Sequence, residues 1–327
     1  MSKDNSFLKN GNFAPGRLFT GLIKDIPDKR DYKFSDIMKQ QGTIKTIKVK
    51  VLKPKPLKRG CFRKHGYKIP LEEVTVAIDV ATPKLLSSSP FQIDHSKNMS
   101  LVKDQKNLGT CVAFSAAALK ECQEKEEHDR EVVSGKEYNR DKEYDYSEQW
   151  IYWNCKKIDG FSGSEGTTIR DAMKVLKNIG VPTEQAWPYT DDPVNIGKPA
   201  SWANMIARWA TIGSYWNVSN LTELKAALVE GPVIIGVPVF AEWWEPPGGV
   251  VNYPSNPSLM YGGHAICAVG YDESKHLVKF KNSWSTYWGE QGYGYLSYRY
   301  IEDFLWSGWA ARDISVTRDM LKGTREL

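Results

Sequence analysis

Apolar side chains near the start of the chain recur at every second position. Over residues 43–52, Thr-Ile-Lys-Thr-Ile-Lys-Val-Lys-Val-Leu, apolar and basic residues alternate toward the C-terminal end, and Val74, Val76, Ile78 and Val80 repeat the pattern after a Lys/Pro-rich stretch at 53–58. A period of two is that of a half-buried strand, so two strands are expected, and they could pair. Beyond residue 95 the period lengthens. Residues 112–125, Val-Ala-Phe-Ser-Ala-Ala-Ala-Leu-Lys-Glu-Cys-Gln-Glu-Lys, are strong helix formers that open directly after Gly109-Thr110-Cys111, which predicts a helix beginning at a cysteine. Ile169, Met173 and Leu176 share one face of a helix over 168–179 that stops at Gly180 before Pro182. Asn220 with Glu223 forms a capping-box pattern ahead of a helix over 221–230, ended by Gly231-Pro232. Strands then follow at 233–239, 264–271, 277–282 and 293–298, divided by Gly, Pro and Asp turns. Helices first and strands second is an α+β pattern, and no repeat at periods of about 20–50 residues suggests a solenoid or propeller.

Composition narrows the class. With 327 residues and 41% hydrophobic content the chain has material for one large domain or two small ones, which excludes a disordered chain. Cys61, Cys111, Cys122, Cys155 and Cys267 form an odd, sparse set with no C-x-x-C pair, so neither a disulfide framework nor a zinc ribbon is expected. No window approaches the roughly 18 apolar residues of a membrane helix, and Met1-Ser2-Lys3-Asp4-Asn5 lacks the apolar core of a secretory signal. The expectation is a chain without a membrane partner, cytoplasmic or exported without a cleaved signal. The net charge of +5 is uneven: residues 1–95 hold 19 Lys+Arg and 9 Asp+Glu, the remainder 25 and 30. An acidic neighbour in the same chain is a nearer partner for that basic segment than nucleic acid, whose aromatic-plus-basic binding signatures are absent. Scattered Gly11, Pro15, Gly16, Gly21 and Pro27, with the charged cluster Asp25-Ile26-Pro27-Asp28-Lys29-Arg30-Asp31-Tyr32, read as an extended arm. The domain reading is therefore a basic N-terminal extension over 1–95 and a main domain over 96–327. The two early strands either extend that domain or form a small basic module closed by a linker at Ser87-Ser88-Ser89-Pro90.

Chemistry concentrates at a few positions. A thiol is a useful nucleophile as thiolate, and a helix N-terminus favours the thiolate because its backbone N–H groups present partial positive charge, the situation expected for Cys111. Gln105, six residues upstream across a loop containing Gly109, could add a side-chain N–H to the Cys111 backbone N–H as donors to a developing oxyanion. A base is then required. His65, His95, His128 and His276 lie in polar or charged stretches and read as solvated, whereas His264 opens the apolar run Gly262-Gly263-His264-Ala265-Ile266-Cys267. Eighteen residues later, Lys281-Asn282-Ser283-Trp284 offers an amide to orient the imidazole and an indole to cover it, the nucleophile, base and orienting-group arrangement. Cys61, Cys122, Cys155 and Cys267 read as ordinary buried thiols.

The blocks Gln105-Lys106-Asn107-Leu108-Gly109-Thr110-Cys111-Val112-Ala113-Phe114-Ser115, Gly263-His264-Ala265, Lys281-Asn282-Ser283-Trp284 and Trp288-Gly289-Glu290-Gln291-Gly292-Tyr293 resemble the papain family of cysteine peptidases over residues 96–310. The upstream cluster at 25–32 and Trp187-Pro188-Tyr189 make it more similar to bacterial-type members. The resemblance implies a two-lobed α+β fold, a helical lobe and an antiparallel β-rich lobe with the active site in the cleft between them. It implies Cys111 as nucleophile, His264 as general base and then acid, Asn282 as the ring-orienting group and Gln105 as oxyanion donor. Gly166 or Gly163, Gly263 and Trp284 would border the substrate, with Trp284 also shielding the Asn–His pair. Leu108 and Val112 depart from the family pattern, which has a disulfide cysteine and a tryptophan there; Ser285 replaces the usual glycine.

Peptide-bond hydrolysis on a peptide or protein substrate is thus the expected activity, with an aminopeptidase or a catalytically silent binding protein on the same fold as alternatives. Family members are commonly made with an inhibitory propeptide, so residues 1–95 are a candidate intramolecular partner that would make the chain a zymogen. No cofactor is expected, because neither a set of zinc ligands at short spacing nor a Gly-rich phosphate loop is present.

Overall fold

A computed structural model describes residues 21–26, 28, 31, 33, 45–52, 71–78, 90–133 and 144–313, with the backbone alone at 45–52, 71–78 and 130–133. The rest of the expected arm and extension, the linker at 87–89, Cys61 and His65 lie outside the described residues. The chain divides into two compact units, Met1–Phe34 with Leu86–Ser315, and Ser35–Leu85 with Val316–Leu327. In the second unit, β1 (Lys45–Leu52) and β2 (Leu71–Ile78) pair antiparallel, from Lys45 opposite Ile78 to Leu52 opposite Leu71. The two alternating runs therefore do find each other.

The first unit opens with β3 (Gln92–Asp94) and continues through helices α1 (Cys111–Val133), α2 (Glu148–Ile158), α3 (Ile169–Asn178) and α4 (Ala203–Ala207). It then alternates β4 (Ile212–Asn217), α5 (Leu221–Leu228), β5 (Val233–Val239), β6 (Val250–Val251), β7 (Gly262–Asp272), β8 (Leu277–Lys281), β9 (Tyr293–Ser297), α6 (Tyr298–Phe304) and β10 (Ser307–Asp313). The strands form one sheet in the order β4-β10-β5-β7-β8-β9-β6, with β3 added beside β7. Every pairing among these is antiparallel except β6 with β9. This is the α+β architecture expected from the sequence.

Local chemistry sets the helix ends. Ser147 accepts from Trp150 N at 3.1 Å at the start of α2, and Thr168 accepts from Asp171 N at 3.1 Å at the start of α3. The predicted apolar face of α3 is buried at Ile169, Met173 and Leu176. Its stop is Gly180 at φ +78°, where a Cβ would sit 1.8 Å from the Ala207 carbonyl oxygen, so a left-handed turn and a neighbouring backbone together demand glycine. Asn220 caps α5 through Glu223 N at 2.9 Å, while the Glu223 carboxylate reaches back to Ser219 N at 2.8 Å. The first thirteen residues of α1, Cys111 to Gln123, are buried, because small alanines on most sides let the helix sink into the core. Leu119, Ile151, Ile169, Met173 and Leu176 fill the space between helices and sheet, and the course of α1 against β7 carries its first residue to the first residues of that strand.

Candidate active site

Cys111 is the first residue of α1 and fully buried, and its Sγ accepts a hydrogen bond from Ala265 N of β7 at 3.4 Å. His264, the residue before Ala265, bonds through Nε2 to Asn282 Oδ1 at 2.8 Å. That same oxygen accepts from Ser283 N at 2.8 Å. Two donors on one oxygen decide which end of the Asn282 amide faces the ring, and the ring must then carry its proton on Nε2, which leaves the Nδ1 lone pair as its basic site. Trp284 stacks on His264 with centroids 4.5 Å apart and 27° between planes, and Trp243 meets the ring edge-on at 5.9 Å.

Gln105 is brought to the same place by pairing of the two loops: Gln105 N donates to Ser283 O at 2.9 Å and Ser285 N to Lys103 O at 3.1 Å. Its Oε1 accepts from Ser283 Oγ at 2.6 Å, and its Nε2 donates to Leu108 O at 2.9 Å, which leaves the second Nε2 hydrogen for another acceptor. Tyr189 pins the loop from the far side, its hydroxyl 2.7 Å from Gln105 O and 2.9 Å from Thr110 Oγ1. The sequence pointed to Gln105 and not to Tyr189, although the tyrosine stands in the noted Trp187-Pro188-Tyr189 run.

Burial governs the charges. It pushes the Cys111 thiol up to about 12, with the backbone N–H groups of Ala265, Val112 and Cys111 pulling the other way. It pushes His264 down to about 4, opposed by the bond to Asn282. In this covered state both groups are neutral.

Gly21 and Leu22 of the same chain form the cover, while Lys24 and Ile26 are exposed. Thr167 N donates to Gly21 O at 3.0 Å and Ile23 N to Thr167 O at 2.8 Å, so Leu22 pairs with Thr167 as a parallel bridge, and Leu22 N points to Gly263 O at 3.4 Å. Gly21 lies on the nucleophile-bearing corner: a Cβ there would stand 2.7 Å from Cys111 Sγ and from the Gly109 carbonyl. The Leu22 side chain is buried beside Gly236 and Ile169; a Cβ on Gly236 would meet it at 2.4 Å. Further along, Asp25 Oδ2 accepts from Ser307 Oγ at 2.5 Å and Trp309 Nε1 at 2.7 Å, and Asp31 pairs with Arg170 at 2.5 Å. The described arm is thus anchored by its acids, opposite in sign to its net charge, because net charge reports long-range attraction while contacts are set group by group.

The two glycines proposed to flank the substrate differ. Gly166 is buried, its N–H bonded to Ser164 Oγ and its carbonyl to Lys156 Nζ, whereas Gly163 sits in an exposed stretch; the backbone ladder to the arm falls on Thr167. Cys122, Cys155 and Cys267 are buried free thiols. Two histidines expected to be solvated are not. His95 is held between Glu126 Oε1 of α1 at 3.0 Å and Leu228 O at the end of α5 at 2.8 Å, and the His128 side chain is 11% exposed, with Tyr144 edge-on at 6.2 Å.

A second polar cluster lies about three turns further along α1, at Glu121, and the sequence reading missed it. Lys103 Nζ bonds Glu148 at 2.7 Å and Asp145 at 2.5 Å and lies 3.9 Å from Glu121, while Lys281 Nζ donates to Ser100 Oγ at 2.7 Å. Burial pushes Glu148 up to about 8 against the pull of Lys103. Among the described residues no group of three or more His, Cys, Asp or Glu could hold a metal ion, and no helix is long and apolar enough to cross a membrane.

Comparison with known proteins agrees with this geometry. The pattern of the family described as papain family cysteine protease matches residues 89–303. An uncharacterized peptidase C1-like protein of Acanthamoeba polyphaga mimivirus is 29% identical over 299 residues, 86% of this chain and 82% of that one. A cathepsin L-like proteinase of Fasciola hepatica is 29% identical over 213 residues, 62% of this chain, and the match spans 59% of that relative's length. Among solved structures, xylellain, a cysteine protease from Xylella fastidiosa, shares the fold at a TM-score of 0.64 and 24% identity, covering 92% of this chain and 98% of that one. The chain belongs to the papain family of cysteine proteases and is a cysteine-type peptidase, a hydrolase.

Proposed function

We propose that Cys111, His264, Asn282 and Gln105 hydrolyse peptide bonds, and that the segment around Gly21 and Leu22 holds the enzyme inactive. In the open enzyme the Cys111 thiol gives its proton to His264 Nδ1, and the thiolate attacks the substrate carbonyl carbon. The oxyanion that forms accepts hydrogen bonds from Gln105 Nε2 and the Cys111 backbone N–H. His264 then protonates the amine nitrogen as the C–N bond breaks, leaving an acyl thioester on Cys111. Water attacks that carbonyl, loses a proton to His264, and the carboxylic acid departs as the sulfur recovers its proton. Asn282 keeps the ring in the Nε2–H tautomer throughout, and Trp284 excludes water from that bond. Gly263, with Gly166 or Gly163, borders the bound peptide.

The single observation that carries the inhibitory half is the approach of Gly21 to Cys111 Sγ, with its chain hydrogen-bonded on both sides to Thr167 and Gly263. A peptide carbonyl and this segment compete for the same space, and burial beneath it favours the neutral thiol and neutral imidazole. The test is labelling of Cys111 by an irreversible epoxide inhibitor in the full chain, beside Gly21→Ala and Cys111→Ala. A Cβ forced into that contact costs about 1–3 kcal/mol, so Gly21→Ala is expected to be labelled roughly tenfold faster or more. Equal rates in the two would remove the inhibitory role, and labelling in neither would remove the peptidase assignment of Cys111.

A further inference from the structure

Beside Asn282 lies a cavity of about 10 Å³ that His264 does not line. Asn282, Glu148, Ser115 and Ala118 are among its walls. Two polar atoms of these walls are buried with no hydrogen-bond partner among the described residues: Asn282 Nδ2 and Glu148 Oε2. The residues that carry them are 3% and 1% exposed. One is a donor and the other an acceptor. Neither has an alternative, because Asn282 Oδ1 already serves His264 and Ser283 N, and Glu148 Oε1 already serves Lys103. A buried water needs a polar site of roughly 10–15 Å³ and two to four partners, and native proteins seldom leave such atoms unmet.

We propose that this cavity holds one ordered water, which accepts from Asn282 Nδ2 and donates to Glu148 Oε2, and that Glu148 is thereby a positioning residue for the amide that orients His264. The Ser115 hydroxyl lines the same cavity and supplies a third partner. The ion pair to Lys103 fixes the Glu148 carboxylate, the water carries that fix to the far end of the Asn282 amide, and the near end holds the imidazole. The proposal rests on the reading that His264 and Asn282 act together, and it is tested without hydrolysis, so failure of one does not decide the other.

A crystal structure of the full chain at a resolution that orders waters is expected to show one water within hydrogen-bond distance of both Asn282 Nδ2 and Glu148 Oε2. No density there, or a water touching one atom alone, overturns the site. Ala118→Val and Ser115→Thr then fill the cavity from α1, two variants so that one remains if the other does not fold. In the full chain with labelled histidine, the His264 Nε2–H resonance is expected to exchange with solvent about tenfold faster in each, as for loss of one hydrogen bond. Glu148→Ala is expected to do the same, while Glu148→Gln, which keeps a partner for the water, stays near the parent. Unchanged exchange in a variant whose crystals show the water displaced overturns the positioning role.

Discussion

Cys111, the first residue of α1, and Glu148, the first residue of α2, are buried to the same degree, and burial has treated them differently. Glu148 entered the interior with Lys103 bonded to it, a partner of opposite charge that offsets part of its desolvation and leaves its pKa raised to about 8. Cys111 and His264 entered as neutral groups, each held there by the absence of water, with backbone and amide hydrogen bonds as the only counterweight. The lesson is that a buried ionisable pair is either stabilised by its charges or deprived of them. The first pair serves the fold. The second serves chemistry only when its cover departs.

The largest expected effect follows from lifting that cover. With the segment displaced by Gly21→Ala combined with Leu22→Gly, the Cys111 alkylation midpoint should fall from about 12 into the range of roughly 3.5–7.5 found for thiols at helix N-termini beside an imidazolium. A pH series of alkylation rates measures it, and a midpoint that stays high would erase the contrast with Glu148. Next, Lys103→Met leaves Glu148 without its partner and should destabilise the chain by about 3–5 kcal/mol in denaturant unfolding. Gln105→Ala in enzyme freed of its cover should lower kcat by roughly 10²–10³ with KM changed little, the signature of a donor used in the transition state.

The smallest effect sharpens the comparison at an intermediate case, His95. Burial lowers its pKa, but Glu126 and the Leu228 carbonyl outweigh burial and the net shift is upward. Both partners can accept, so the doubly protonated ring is the form they favour. Its stabilisation is fully present below the unfolded value near 6.5 and is lost as pH rises through the raised folded value. His95→Gln should therefore destabilise by about 0.5–1 kcal/mol in acid and by less in alkali, measured by unfolding at several pH values.

Much of this was legible before any coordinates. The helix opening at Cys111, the strand opening at His264, the apolar face of the helix over 168–179 and the cap at Asn220 follow from propensity, periodicity and local hydrogen bonding, and the structure has them within a residue or two. Four of the longer elements were not read. The helix Glu148–Ile158 hides in an aromatic run whose Trp150 faces inward and whose Trp153 faces out. The strand Ser307–Asp313 is built on Ser307, Gly308 and Ala310, too small to mark a period, its neighbour Ile212–Asn217 is interrupted by Gly213 and Ser214, and the short helix Tyr298–Phe304 carries five polar or aromatic residues before Phe304. The candidate quartet was visible because its members lie in short motifs. The half-buried Lys103 and the buried Glu121 and Glu148 were not, since charges in a sequence look alike whether solvated or paired. Nor did the sequence mark Leu22 as an anchor among scattered glycines; its pocket is assembled from Gly236 and Ile169, more than 140 positions away.

The arm's anchors run C-terminally from Gly21 to Lys33, whose backbone bridges Asn217 of β4, and this decides what a break in the chain does. On the proposed reading, scission upstream of residue 21 leaves the blocking segment tethered to the cleft it fills, so its local concentration stays high whatever the protein concentration. Scission downstream of residue 33 turns the same contacts into a bimolecular complex. From then on dilution alone favours release, and the blocker becomes a free peptide that any other copy of the enzyme can bind.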